Sequence, residues 1–118
     1  MRNIIYHNPN WSKSRKSVEI LENNGVDYKL IKYLVDIPTK HQITKLCKML
    51  SMRPKDIIRK NERDFKENNL ISIIDNDELL IKKMILFPKI IERPIIVIGN
   101  KAVIGRPPEN ILDILKDN

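Results

Sequence analysis

Two β-rich runs, Ile95-Ile96-Val97-Ile98 and Lys101-Ala102-Val103-Ile104, flank a two-residue Gly99-Asn100 connection. That spacing predicts a tight antiparallel hairpin, because glycine supplies the backbone twist that a two-residue turn requires. Everything before the hairpin must be compatible with it. At the start of the chain, Asn3-Ile4-Ile5-Tyr6-His7 reads as a short strand stopped by the turn-forming cluster Asn8-Pro9-Asn10. Ser12-Lys13-Ser14-Arg15 then leads into Val18, Leu21 and a stop at Asn23-Asn24-Gly25, which predicts a helix over 13–23. Val26, Tyr28 and Leu30 alternate with Asp27 and Lys29 and run on into Ile31-Lys32-Tyr33-Leu34, the period of a half-buried second strand. In the middle, Thr39 and Gln42 form a capping box, and Ile43, Leu46, Cys47 and Leu50 fall on one helical face. Pro54 suits the first turn of a short helix through Ile57-Ile58-Arg59. Asp75 with Glu78 starts another, with Leu80, Met84 and Phe87 on one face as far as Pro88. After the hairpin, a last helix begins near Pro107-Pro108 and uses Ile111, Leu112 and Leu115. The order βαβ, helices, ββα gives an α/β fold with a small mixed sheet.

At 118 residues with 42% hydrophobic content, the expectation is a single domain, 1–118. One cysteine, Cys47, excludes an internal disulfide, a CxxC redox pair and a cysteine zinc site; no metal centre is expected. Its place on the apolar helical face predicts a buried core thiol. The first residues lack the apolar run of a signal peptide, and no stretch approaches the ~20 apolar residues of a membrane span. These features predict a cytoplasmic protein that does not enter the membrane, expected to be a monomer. The formal charge is +7, and the surplus lies in the first half: 12 basic against 5 acidic residues through Arg59, then ten of each. With 5% aromatic content and no recognisable helix-turn-helix or RNA-binding strand motif, nucleic acid is a poor fit.

The turn between the first strand and first helix is the natural anion site, because helix N-terminal amides and the positive dipole end gather there. Ser12, Lys13, Ser14 and Arg15 enrich it with donors, although the same residues also suit an ordinary capped and solvated helix start. Arginines stand at three junctions: Arg59 at a helix end, Arg93 before Pro94, and Arg106 between Gly105 and Pro107. Three converging guanidinium forks would define an oxyanion pocket; three separate ones would be surface ion pairs.

The motifs Tyr6-His7-Asn8-Pro9-x-x-Ser12-Lys13-Ser14-Arg15, Tyr33-Leu34, Arg59-Lys60-Asn61, Glu92-Arg93-Pro94-Ile95 and Gly105-Arg106-Pro107 together resemble the glutaredoxin-linked arsenate reductase family, over roughly Tyr6 to Leu115. The resemblance implies a thioredoxin-like fold, βαβ and ββα halves with a helical insertion between them, and a cis-proline at Pro94. It implies arsenate as substrate, with no bound cofactor, glutathione as co-substrate and glutaredoxin as partner. It assigns the oxyanion and its adduct to Arg59, Arg93 and Arg106, and thiolate stabilisation to Ser14. The family's nucleophilic cysteine, however, corresponds to Trp11 in Asn8-Pro9-Asn10-Trp11. An indole can neither bond arsenic nor leave as a disulfide. Ser12 has no two-electron chemistry to offer, and His7, the nearest candidate base, also fits a structural role on its strand. Three readings follow: a pseudoenzyme that still binds arsenate, phosphate or sulfate, with Trp11 as aromatic lid or interface anchor; a cysteine codon changed in its third base; or a thioredoxin-fold regulator contacting the transcription machinery, whose usual CxxC is missing here.

Overall fold

A computed structural model describes residues 3–8 and 10–116; Pro9, part of the expected first turn, lies outside them. In chain order the elements are β1 (Ile4–His7), α1 (Ser12–Asn23), β2 (Lys29–Lys32), α2 (Lys40–Leu50), α3 (Arg63–Glu67), α4 (Asp77–Leu86), β3 (Ile95–Ile98), β4 (Lys101–Ile104) and α5 (Ile111–Leu115). Short 3₁₀ turns occupy Pro54–Ile57, Leu70–Ile73, Pro88–Ile90 and Pro108–Asn110. The chain forms two compact units, one built from both ends (Met1–Asp36 with Arg93–Asn118) and one from the middle (Ile37–Glu92).

The first unit holds a four-stranded sheet in the order β2-β1-β3-β4. β1 runs parallel to β2 and antiparallel to β3, and β3 pairs antiparallel with β4 through the expected hairpin. Gly99 takes a positive φ of 62° in that turn, a conformation that costs a side chain dearly. β3 is buried along its whole length, as a central strand should be, whereas the edge strand β2 exposes Lys29 and Lys32, charges that discourage further strand pairing. α1 closes at Gly25 (φ 65°), with Val26 N–H donating to the Leu21 carbonyl at 3.0 Å. That cap explains why the second strand is shorter than its alternation suggests. Val26 is committed to the helix end, and the ladder begins where Lys29 N–H donates to the Asn3 carbonyl. Val26 and Tyr28 still pack on the core of Ile5, Leu21, Ile96, Ile98, Ile111 and Ile114. In α5 the inward residues are Ile111 and Ile114; Leu112, expected inside, is 38% exposed. A period of three from Ile111 reaches the sheet, and Leu112 falls off that face.

The middle unit is helical. The Thr39–Gln42 capping box forms in full, with Gln42 N–H donating to Thr39 Oγ1 at 3.2 Å and Thr39 N–H to Gln42 Oε1 at 2.9 Å. α2 buries Ile43, Leu46, Cys47 and Leu50, as its spacing predicts. α4 starts one residue later than the Asp75–Glu78 pattern suggests: Asn76 is the cap, its Oδ1 accepting from Leu79 N–H at 3.1 Å, while Asp75 pairs with Lys55. Leu80 and Met84 are fully buried, and Phe87 ends the helix half-exposed. The Pro54 segment is a 3₁₀ turn, and α3 with the turn at Leu70, not resolved by the sequence pattern, adds Phe65 and Leu70 to the interior.

Candidate functional site

The start of α1 leaves its donors without the usual cover. Its cap position is Trp11, in extended conformation (φ −104°, ψ 130°), with no side-chain oxygen to accept from the first amides, and the first turn has no acidic residue. Helix N-termini carry partial positive charge and unpaired N–H groups, so this start is electropositive. The approach to it is fixed locally: Trp11 N–H donates to the Asn8 carbonyl at 3.1 Å and Asn10 N–H to Asn8 Oδ1 at 2.9 Å. Asn8 N–H in turn reaches Ser14 Oγ at 3.4 Å.

Opposite the helix start, the Arg93–Pro94 peptide is cis, as is Arg106–Pro107. Gly105 N–H donates to the Pro94 carbonyl at 2.8 Å, which holds the residue before Arg106 beside Pro94. The result is an open cleft of about 320 Å³ lined by Asn10, Trp11, Ser12, Lys13, Arg93, Pro94 and Arg106. Three of these side chains are cationic and none is acidic. The Arg93 guanidinium carbon lies 3.3 Å from the Trp11 ring centroid, a stacked cation–π contact. The Tyr33 ring, almost wholly buried, stands 6.1 Å from Trp11 at a 48° tilt.

The other candidates are not among the residues that line this cleft. Ser14 is fully buried and serves the Asn8 turn, so it supports the cleft from beneath rather than lining it. Arg15 is exposed on α1 and is not among the lining residues. His7 is 5% exposed, and its Nδ1 has no hydrogen-bond partner; burial, then the charges of Lys32 and Arg15, lowers its pKa below the usual 6.5, which favours the neutral ring. Arg59 belongs to the middle unit, where its N–H donates to the Ile90 carbonyl at 2.7 Å. Its guanidinium faces Glu62 at 3.5 Å and Glu92 at 3.8 Å. Cys47 also belongs to that unit, and burial pushes its thiol up to about 11. Sequence reasoning missed Asn10, Tyr33 and Gly105 as parts of the site. Asn10 adjoins the turn, and Tyr33 and Gly105 stand inside the motifs of the family resemblance, but none of the three had a role assigned at the site.

Among the described residues, no cluster of three or more His, Cys, Asp or Glu could hold a metal ion. None of their helices is long and apolar enough to cross a membrane. Residues 6–114 match the ArsC family. The chain belongs to that family. It is 42% identical over 114 residues to the uncharacterized protein YfgD of Escherichia coli, covering 94% of each chain. To the arsenate reductase of Haemophilus influenzae it is 36% identical over 113 residues, covering 95% of this chain and 97% of that one. The solved arsenate reductase from Vibrio cholerae superposes with a TM-score of 0.91 at 40% identity, covering 97% of this chain and 98% of that one. Within the ArsC family the fold is thioredoxin-like, and the four-stranded mixed sheet with its flanking helices has that architecture.

Proposed function

We propose that this ArsC-family chain binds a small oxyanion (arsenate, phosphate or sulfate) at the start of α1 without reducing it. Reduction of arsenate to arsenite moves two electrons, and in the glutaredoxin-linked reductases a thiolate bonds arsenic and is then resolved by glutathione and glutaredoxin. By the Tyr6-His7-Asn8-Pro9 motif, Trp11 stands where that thiolate belongs. An indole has neither the nucleophilicity nor the disulfide chemistry for the step. Cys47 offers no substitute, being buried with its thiol raised to about 11. What remains is the electrostatic part of the site. The observation that carries the reading is a single cleft holding Lys13, Arg93 and Arg106 beside an α1 start without acidic residues.

On this reading glutathione is a ligand at most, glutaredoxin has no adduct to resolve, and the chain acts as one cytoplasmic, monomeric domain. Because Trp11 is the single tryptophan and lines the cleft, its fluorescence reports occupancy directly. Titration with arsenate, phosphate and sulfate should give a saturable change. Glutaredoxin-coupled turnover should be absent in the unaltered chain and appear in Trp11→Cys. Turnover by the unaltered chain, or no saturable response to any of the three anions, would refute the proposal.

A further inference from the structure

We infer that Trp11 is a positioning residue for Arg93, the indole fixing the guanidinium plane so that its donor edge, rather than its face, meets the bound anion. The inference rests on the anion-binding reading above and deepens it. An arginine at the mouth of an open cleft has many rotamers to lose on binding, and its five donors lie in the plane of the guanidinium. A ring stacked on the face leaves that plane intact and removes much of the rotational freedom before the ligand arrives. Arg93 has this arrangement, with its central carbon 3.3 Å from the Trp11 centroid. The indole is itself braced: Tyr33 packs against it at 6.1 Å, and Tyr33 is 2% exposed and cannot swing away. Tyr33, Trp11 and Arg93 therefore form a series running from the core to the cleft.

The test is a double-mutant cycle read by calorimetric titration with phosphate and arsenate on Trp11→Ala, Trp11→Phe, Arg93→Ala and the Trp11→Ala/Arg93→Ala pair. Calorimetry is needed because the Trp11 variants lack the fluorophore. Trp11→Ala should weaken binding about two- to thirtyfold, the span of exposed to desolvated cation–π contacts. Trp11→Phe should recover most of that loss. The pair should bind no more weakly than Arg93→Ala alone, since Trp11 acts through Arg93. The upfield ring-current shift of the Arg93 side-chain protons in the unaltered chain, lost in Trp11→Ala, gives a readout that needs no ligand. If Trp11→Ala binds as tightly as the unaltered chain or more tightly, or if the two losses simply add, the positioning role is overturned. A missing ring-current shift overturns it as well. If the unaltered chain binds no anion while the shift is present, the anion-binding reading falls, and with it the purpose assigned to the stack.

Discussion

An alanine at Gly105 would set its Cβ 2.7 Å from Ser17 Oγ, 2.9 Å from Ile96 Cδ1 and 3.0 Å from Pro94 Cγ. Ser17 and Ile96 are fully buried and Pro94 is buried too, so none of these atoms can move aside into solvent. Overpacking a close-packed site costs about 1–3 kcal/mol, and contact from three sides at once places Gly105→Ala at about 2 kcal/mol. The nearest neighbour is a hydroxyl whose role is minor: Ser17 Oγ–H donates to the Lys13 carbonyl of its own helix at 2.8 Å. Removing it in Ser17→Ala should cost little alone and relieve the shortest clash in the double variant, for a coupling of about 1 kcal/mol. Urea unfolding followed by Trp11 fluorescence measures all three variants. With a slope of about 1–3 kcal/mol per molar, Gly105→Ala should move the midpoint down by roughly 1 M. Because the Gly105 N–H holds Pro94 and the next residue is Arg106, the same variant should also weaken phosphate binding. A Gly105→Ala midpoint within experimental error of the unaltered chain, or strictly additive effects in the double variant, would show that the close approach of α1 to this junction is not a constraint.

Three further outcomes follow from individual residues. Cys47, buried with its thiol raised to about 11, should fail to react with a disulfide reagent at pH 8 in the folded protein and react stoichiometrically once urea is added. Asn76→Ala should destabilise the chain by about 0.5–2 kcal/mol through loss of the α4 cap, whereas Asp75→Ala should cost less, since Asp75 makes only an exposed pair with Lys55; unfolding midpoints that reverse this order would refute the cap assignment. The folded-state pKa of His7 is depressed, so the unfolded chain takes up its proton first as pH falls below 6.5. The stability His7 contributes is complete above that value and lost as pH falls through the folded pKa, and His7→Gln should flatten the pH dependence of stability below about pH 6.5.

The parts of the fold that the sequence made legible are those whose signals are local. The Gly99-Asn100 hairpin needs only two β-rich runs and a glycine that accepts positive φ, and the Thr39–Gln42 box needs only two side chains three residues apart. The errors come where two local rules compete. Asp75 and Asn76 are both good cap residues; Asn76 Oδ1 takes the Leu79 N–H, while Asp75 pairs with Lys55, twenty residues away. The alternation through Val26 and Tyr28 reflects real burial, but the α1 cap consumes the Val26 N–H before the ladder can use it. At the site, Ser12, Lys13, Arg93 and Arg106 could be named because helix starts and junction arginines carry recognisable chemistry. Tyr33 could not be given a role, because it acts only through Trp11. Gly105 could not either, because the space a missing Cβ leaves is visible only once α1 is packed beside it.

The surplus charge of the chain is not what makes the cleft cationic. The middle residues, 37–92, carry twelve basic and eight acidic side chains, and the two end segments carry ten and seven, so the unit with the cleft has the smaller excess. Several cations of the middle unit are set against carboxylates: Lys40 faces Glu78, Arg53 faces Asp77, Lys55 faces Asp75 and Arg63 faces Glu67. Such exposed pairs contribute little to stability, yet at short range each cancels most of the field a passing anion would feel. The cleft differs in its placement of charge, with Lys13, Arg93 and Arg106 around a helix start and no acid among the lining residues. For the proposed small oxyanion, that grouping puts three cations on one cleft, and charges at close range are those that salt screens least. On the reading proposed above, a tryptophan at position 11 takes the place of the family's thiol and, by stacking on Arg93, sets the geometry of the anion site that is left.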